Sequence, residues 1–153
     1  MRILHAKSGK YHKVKIELVE DHNWKEINNS KQFAFAWKKE KQQIIYQLKL
    51  IEEDRIMGLI AIQDVPKEYR IHIHLIENSK SNIGKDKEYR FVAGCMLAYI
   101  CNLSLEKGYE GFVSLKAKTE LLTHYKDNYG FKSMGRNLFV FRETAIKLVK
   151  KYL

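Results

Sequence analysis

Three groups of side chains have types and spacing suited to chemistry. The first is Lys85, Lys87 and Arg90, which crowd the passage from a polar loop into the apolar run that opens Phe91-Val92-Ala93-Gly94. If that run is a helix, its first-turn amides lack intrahelical partners and its dipole favours negative charge, so the cations and amides together suit the phosphates of a ligand. The second is His72-x-His74, whose spacing puts both imidazoles on one face of a strand. Only two imidazoles share that face, and no Cys or carboxylate has ligand spacing to them, so the pair reads as solvent-facing or substrate-side and no metal is expected. The third is Cys95 and Cys101, six residues apart on the apolar run. They point to different faces with nothing nearby to stabilise a thiolate, which makes them small core residues and not nucleophiles.

These groups must be held by strands and helices that the sequence also announces. Lys13–Leu18 alternates polar and apolar residues as a strand does. A helical or irregular stretch from about Trp24 to Glu40 follows, with Trp24, Ile27, Phe33, Phe35 and Trp37 as core anchors. Residues 43–50 are rich in β-branched and aromatic side chains, and residues 56–62 return as the antiparallel partner after the turn Glu52-Glu53-Asp54. Pro66 breaks that strand, and Tyr69–Ile76 forms the next, with Ile71, Ile73 and Leu75 on one face. Residues 77–88 are polar and read as a loop, and Tyr89–Lys107 reads as a helix apolar on most sides, capped by Gly108. A strand at 112–117, a short helix at 120–128 closed by Gly130, a strand at 138–141 and an amphipathic helix at 144–152 complete the chain. The order is that of a mixed α+β domain, with a βαβ-like crossover through the buried helix.

Composition bounds the class. At 153 residues the chain has the length of one domain, 1–153, and it shows no repeat, no linker and only eight Gly and one Pro. Its longest apolar run is too short for a membrane span, no secretory signal is visible, and two Cys make no disulfide framework, so a cytoplasmic protein without membrane partners is expected. Lys plus Arg exceed Asp plus Glu by 28 to 18, a net charge of +10 that favours anionic partners without choosing among them.

Over residues 55–141 the sequence resembles the GCN5-related N-acetyltransferases. The likeness rests on the strand–loop–helix order with Ala93-Gly94 in the first turn, then Gly108-Tyr109-Glu110-Gly111-Phe112-Val113-Ser114-Leu115, then Thr123-His124-Tyr125 and Gly130-Phe131. It implies a central, mostly antiparallel sheet flanked by helices, and transfer of an acetyl group from acetyl-CoA to an amine. In that family a Gln/Arg-x-x-Gly-x-Gly/Ala segment wraps the CoA pyrophosphate with backbone amides. Two registers are open here: one ends on Ala93 with Phe91 in the first Gly slot and Glu88 at the start, the other ends on Gly94 with Val92 in that slot and Tyr89 at the start. The resemblance therefore assigns Arg90, Phe91, Val92, Ala93 and Gly94 to the cofactor, and Lys118 stands where the family often has Asn. It also aims Tyr125 at the CoA sulfur, where a phenol can protonate the leaving thiolate, although the spacing from Tyr to Gly is one residue longer than the common one.

The same resemblance makes Glu77 the nearest match to the family's proton acceptor, with His72 and His74 as local alternatives. Backbone amides along Leu75, Ile76 and Glu77 would polarise the thioester carbonyl. Dimers are frequent among proteins resembling this one, so a homodimer joins acetyl-CoA and an unknown amine as a partner. A decayed acyl-CoA-binding module of the same fold is the alternative kept alive by Phe91 or Val92 in a Gly slot. A nucleic-acid-binding reading rests on charge and interspersed aromatics alone; without a helix-turn-helix, zinc finger or RNP-like aromatic string it ranks last.

Overall fold

Alternation and β-branching build most of the strands. The computed structural model describes residues 1–40, 42–117 and 119–153, so the expected cofactor residue Lys118 lies outside the described residues. Its elements run β1 (Arg2–His5), β2 (Tyr11–Leu18), α1 (Trp24–Ser30), β3 (Ile44–Leu50), β4 (Arg55–Val65), β5 (Arg70–Asn78), β6 (Tyr89–Arg90), α2 (Val92–Glu106), β7 (Val113–Lys116), α3 (Leu122–Tyr129), β8 (Lys132–Met134), β9 (Asn137–Val140) and α4 (Glu143–Tyr152). The strands hydrogen-bond in the order β6-β1-β2-β3-β4-β5-β7-β9-β8. β1–β2, β2–β3, β7–β9 and β8–β9 pair antiparallel. β5 and β7 run parallel, with Ile71 opposite Val113 and Ile73 opposite Leu115, and α2 supplies the crossover between them. The fold is the mixed α+β arrangement that the element order implies.

The chain forms two compact units: Met1–Ala61 with Leu75–Met96, and Ile62–His74 with Leu97–Leu153. In the first, Trp24 and Ile27 of α1 pack with Trp37, Ile45, Ile56, Leu59 and Ala61, and Phe33 and Leu75 close the edge of this cluster. Trp24 and Trp37 are thus core as expected, whereas Phe35 is exposed. In the second, Ile71, Ile73, Val113, Leu115, Leu138 and Val140 are buried on the β5-β7-β9 ladder. Gly111, at φ +75°, sits so close to α4 that a Cβ there would lie 2.5 Å from the Cβ of Ala145.

Several boundaries differ from the sequence reading, each for a local reason. β5 continues two residues past Ile76, to Asn78. Tyr89 and Arg90 do not open the helix; they form β6 against β1, with Leu4 opposite Arg90 and His5 opposite Tyr89. Phe91 then takes a left-handed φ of +78°, which ends the strand and lets α2 start at Val92. β1 has only four residues, and β8 is exposed throughout, so neither shows an apolar alternation in the sequence.

Candidate functional site

In the first unit the residues assigned to the cofactor lie at the end of β5, along the loop after it, and at the start of α2. The loop is framed by polar groups that the sequence presents as ordinary loop residues. The Ser79 amide donates to the Met57 carbonyl at 2.8 Å, and the fully buried Asn82 donates from Nδ2 to Ser79 Oγ at 2.7 Å. Asn82 Oδ1 accepts from the Tyr89 amide at 3.0 Å, and the Glu88 amide donates to the Ser81 carbonyl, so entry and exit of the loop are tied together. Gln32 braces the entry, accepting from the Ser81 amide through its side chain and from the Lys80 amide through its carbonyl. Between the ties, Gly84 takes a φ of +85°, and Lys85 and the later Arg90 are exposed.

Phe91 holds an unusual backbone conformation at the entrance to α2. A left-handed φ is what glycine adopts at no steric cost, and Phe91 holds it at +78°. The register that ends on Ala93 puts this left-handed residue in the first Gly slot, and the register that ends on Gly94 puts Val92 there. The earliest turn closes with the Cys95 amide donating to the Phe91 carbonyl at 3.0 Å, which leaves the amides of Val92, Ala93 and Gly94 ahead of the intrahelical ladder. Glu88, which opens the register ending on Ala93, is gripped by Arg55 in a two-pronged pair at 2.8 and 3.1 Å. That guanidinium holds the Glu88 carboxyl below its ordinary range, and the carboxylate raises Arg55 in turn. No signal in the sequence pointed to Arg55 or Gln32, whose partners Glu88 and Ser81 are distant along the chain, or to Asn82, whose nearby partners Ser79 and Tyr89 look like ordinary loop and helix residues as text.

Glu77 has an engagement that the sequence does not disclose. One carboxylate oxygen accepts from the Ala34 amide at 2.7 Å. The other accepts from Trp37 Nε1 at 2.7 Å and from the Phe35 amide at 3.3 Å. With a relative exposure of 9% it is enclosed, and it clamps the segment between α1 and the 3-10 turn at Trp37–Glu40. Beside it Leu75 packs on the tryptophan cluster and Ile76 is half-buried.

Tyr125 belongs to the second unit, on α3. Gly130, at φ +74°, ends that helix, and the next amide, of Phe131, turns back to the Tyr125 carbonyl at 3.3 Å. Phe131 also meets the phenol ring edge-on at 5.7 Å, with Tyr129 tilted against it at 6.2 Å. Burial raises the Tyr125 phenol above its ordinary range, which keeps it protonated at neutral and mildly alkaline pH. Both cysteines are buried and their thiols are pushed up to about 12, as small core residues should be. Among the described residues no group of three or more His, Cys, Asp or Glu side chains could hold a metal ion, and no helix is long and apolar enough to cross a membrane.

Comparison with solved structures places this geometry. The spermidine/spermine N-acetyltransferase SpeG from Vibrio cholerae, in a mutant form, superposes with a TM-score of 0.64 at 10% identity, covering 88% of this chain and 96% of that one. The chain has the GNAT acyltransferase fold. An AtaTR structure bound with acetyl-CoA matches at a TM-score of 0.56 and 13% identity over 88% of this chain and 97% of its own. An IAA acetyltransferase from Bacillus cereus gives 0.58 at 11% identity, covering 80% and 79%. No protein-family model and no curated protein sequence matches the chain. Where the motif likeness covers residues 55–141, the likeness of fold covers 88% of the chain.

Proposed function

We propose that this chain, as one acyltransferase domain, moves an acetyl group from acetyl-CoA directly to an amine. The observation that carries the reading is the start of α2. A helix begins just after a left-handed residue and a loop tied at both ends, and we read it in the register that puts Phe91 in the first Gly slot of the resembled pyrophosphate motif. In this reading the amides of Val92, Ala93 and Gly94 take the phosphates, with Lys85, Lys87 and Arg90 adding charge. Backbone amides along Leu75–Glu77 polarise the thioester carbonyl, and Lys118 serves the cofactor. The amine nitrogen attacks the carbonyl carbon, the C–S bond breaks, the thiolate takes the phenol proton of Tyr125, and the proton that the nitrogen sheds on becoming an amide passes through solvent to restore the phenol.

An ammonium ion must lose a proton before it can attack. Both oxygens of Glu77 already accept hydrogen bonds, so we assign Glu77 to holding the 34–37 segment in place of the proton-acceptor role. The reactive fraction of amine is then set by the solution, and the rate rises with pH toward the acceptor's own pKa. A net charge of +10 opposes binding of a polycation, so the acceptor screen pairs spermidine and spermine with amines carried on anionic bodies. Binding of acyl-CoA without transfer is the second reading, favoured by the bulk of Phe91 in a Gly slot.

Release of CoA thiol, followed with acetyl-CoA and that panel, tests the proposal. Acceptor-dependent thiol release that falls at least about 100-fold in kcat on Tyr125→Phe supports it. Release that is undiminished in the variant removes Tyr125 from the mechanism, and no release with any amine leaves the binding module.

A further inference from the structure

Within the second unit, β5, β7 and β9 present a separate cavity of about 490 Å³, lined by Arg70, His72, Ser114, Asn137, Phe112 and Phe139 among others. It runs along the ladder from Arg70 and His72 on β5 to Asn137 on β9, which pairs with Lys116 at the end of β7, and Tyr125 is not among its lining residues. Its volume is within the range of small-molecule sites, and its walls combine aromatic surface with a few convergent polar groups. Phe112 and Phe139 meet edge-on at 6.4 Å.

The polar groups form a relay whose proton positions follow from chemistry. Arginine only donates, so Arg70 Nη1 donates to Ser114 Oγ at 2.6 Å. The single hydroxyl proton of Ser114 then goes to His72 Nδ1 at 2.9 Å, and Arg70 Nη1 also faces Nδ1 at 3.3 Å. His72 Nδ1 is thereby an acceptor, which leaves the ring proton on Nε2 and makes that atom a donor. Burial, followed by the charge of Arg70 and then His74, lowers the pKa of His72, consistent with a neutral ring. Glu68 takes Nε of Arg70, and no bond from Nη2 is made among the described residues. The relay uses its one imidazole acceptor internally and leaves N–H donors on two side chains that line the cavity.

We propose that this cavity binds a small carboxylate with an apolar aryl or alkyl body, its oxygens accepting from Arg70 and His72 and its body lying along Phe112 and Phe139. The site is independent of acyl transfer and binds without acetyl-CoA.

The test titrates 3-phenylpropionate into the full chain without acetyl-CoA, by amide NMR, beside 3-phenylpropanol of the same body. We expect saturable millimolar binding of the acid, with shifts at residues 70–72, 112–115 and 137–139, and binding of the alcohol at least about 10-fold weaker. Arg70→Gln should cost the acid at least about 10-fold and leave the alcohol unchanged. Ser114→Ala keeps the guanidinium but removes the hydroxyl that fixes the ring; imidazole nitrogen shifts should report the Nε2–H tautomer in the parent and a tautomer mixture in the variant. Equal affinity for acid and alcohol, shifts elsewhere on the chain, no binding at about 10 mM, or a parent His72 protonated on Nδ1 would each overturn the proposal.

Discussion

Replacing Glu77 by Gln separates an anchoring carboxylate from a catalytic one. The side chain keeps its shape, but one oxygen becomes an NH2 group that cannot accept. The better orientation leaves the carbonyl oxygen to Trp37 Nε1 and the Phe35 amide, and turns the NH2 toward the Ala34 amide, formerly bonded at 2.7 Å. One charge-assisted bond is lost and two donors are left facing each other in an enclosed site, a cost of about 2–3 kcal/mol. For a chain of this length that is a fall in Tm of roughly 5–10 °C. A thermal melt by circular dichroism reads the loss, and faster hydrogen exchange at the Ala34 and Phe35 amides locates it. If Glu77→Gln melts with the parent and exchange at 34 and 35 is unchanged, the anchoring role is refuted. A variant of unchanged stability that lost only its rate, with a changed pH profile, would return Glu77 to the role of base.

Other consequences are as concrete. Gly111→Ala places a Cβ against Ala145 at a left-handed φ, so it should destabilise by about 2–4 kcal/mol in urea titration, against roughly 1–2 kcal/mol for Ala at Gly9 or Gly84, which share the left-handed φ but have nothing within 4 Å. Phe91→Gly should relieve about 1 kcal/mol of left-handed strain, be close to neutral overall because glycine loses more entropy, and tighten acetyl-CoA several-fold; weaker binding would contradict amide contact with phosphate. The pKa of His72 is lowered in the folded chain from 6.5, so below that pH the unfolded state takes up the proton first. Its contribution is fully present above pH 6.5 and declines as pH falls from there toward the folded value, a slope that His72→Gln should remove from stability measured by urea between about pH 7.5 and about pH 5.5.

Much of the fold was legible because local pattern and tertiary outcome agree. Ile44–Leu50 and the strand after Glu52-Glu53-Asp54 have the composition of strands, and Gly108 and Gly130 end helices where left-handed caps are needed. The left-handed backbone of Phe91 was not legible, since nothing in the types of residues 88–94 marks a bulky aromatic for the conformation that glycine adopts most easily. Polar residues were the least legible. Ser79, Ser81 and Asn82 read as solvent loop, yet Ser79 and Asn82 are buried because their donors and acceptors are satisfied by Met57, Tyr89 and each other, while Gln32 takes the Ser81 amide. Glu77 finds its partners about 40 residues earlier, and the Arg70–His72–Ser114 relay exists only because the crossover sets β7 beside β5. Pairings of that kind depend on register between distant strands, which spacing within one strand does not encode.

Binding of acetyl-CoA to the purified chain, by calorimetry with free CoA as comparison, is the most direct measurement. We expect about one equivalent bound at micromolar affinity, with the heat lost when ligands lack the pyrophosphate. No binding at millimolar CoA would mean that the start of α2 does not receive phosphates, and the transferase assignment would fall with it.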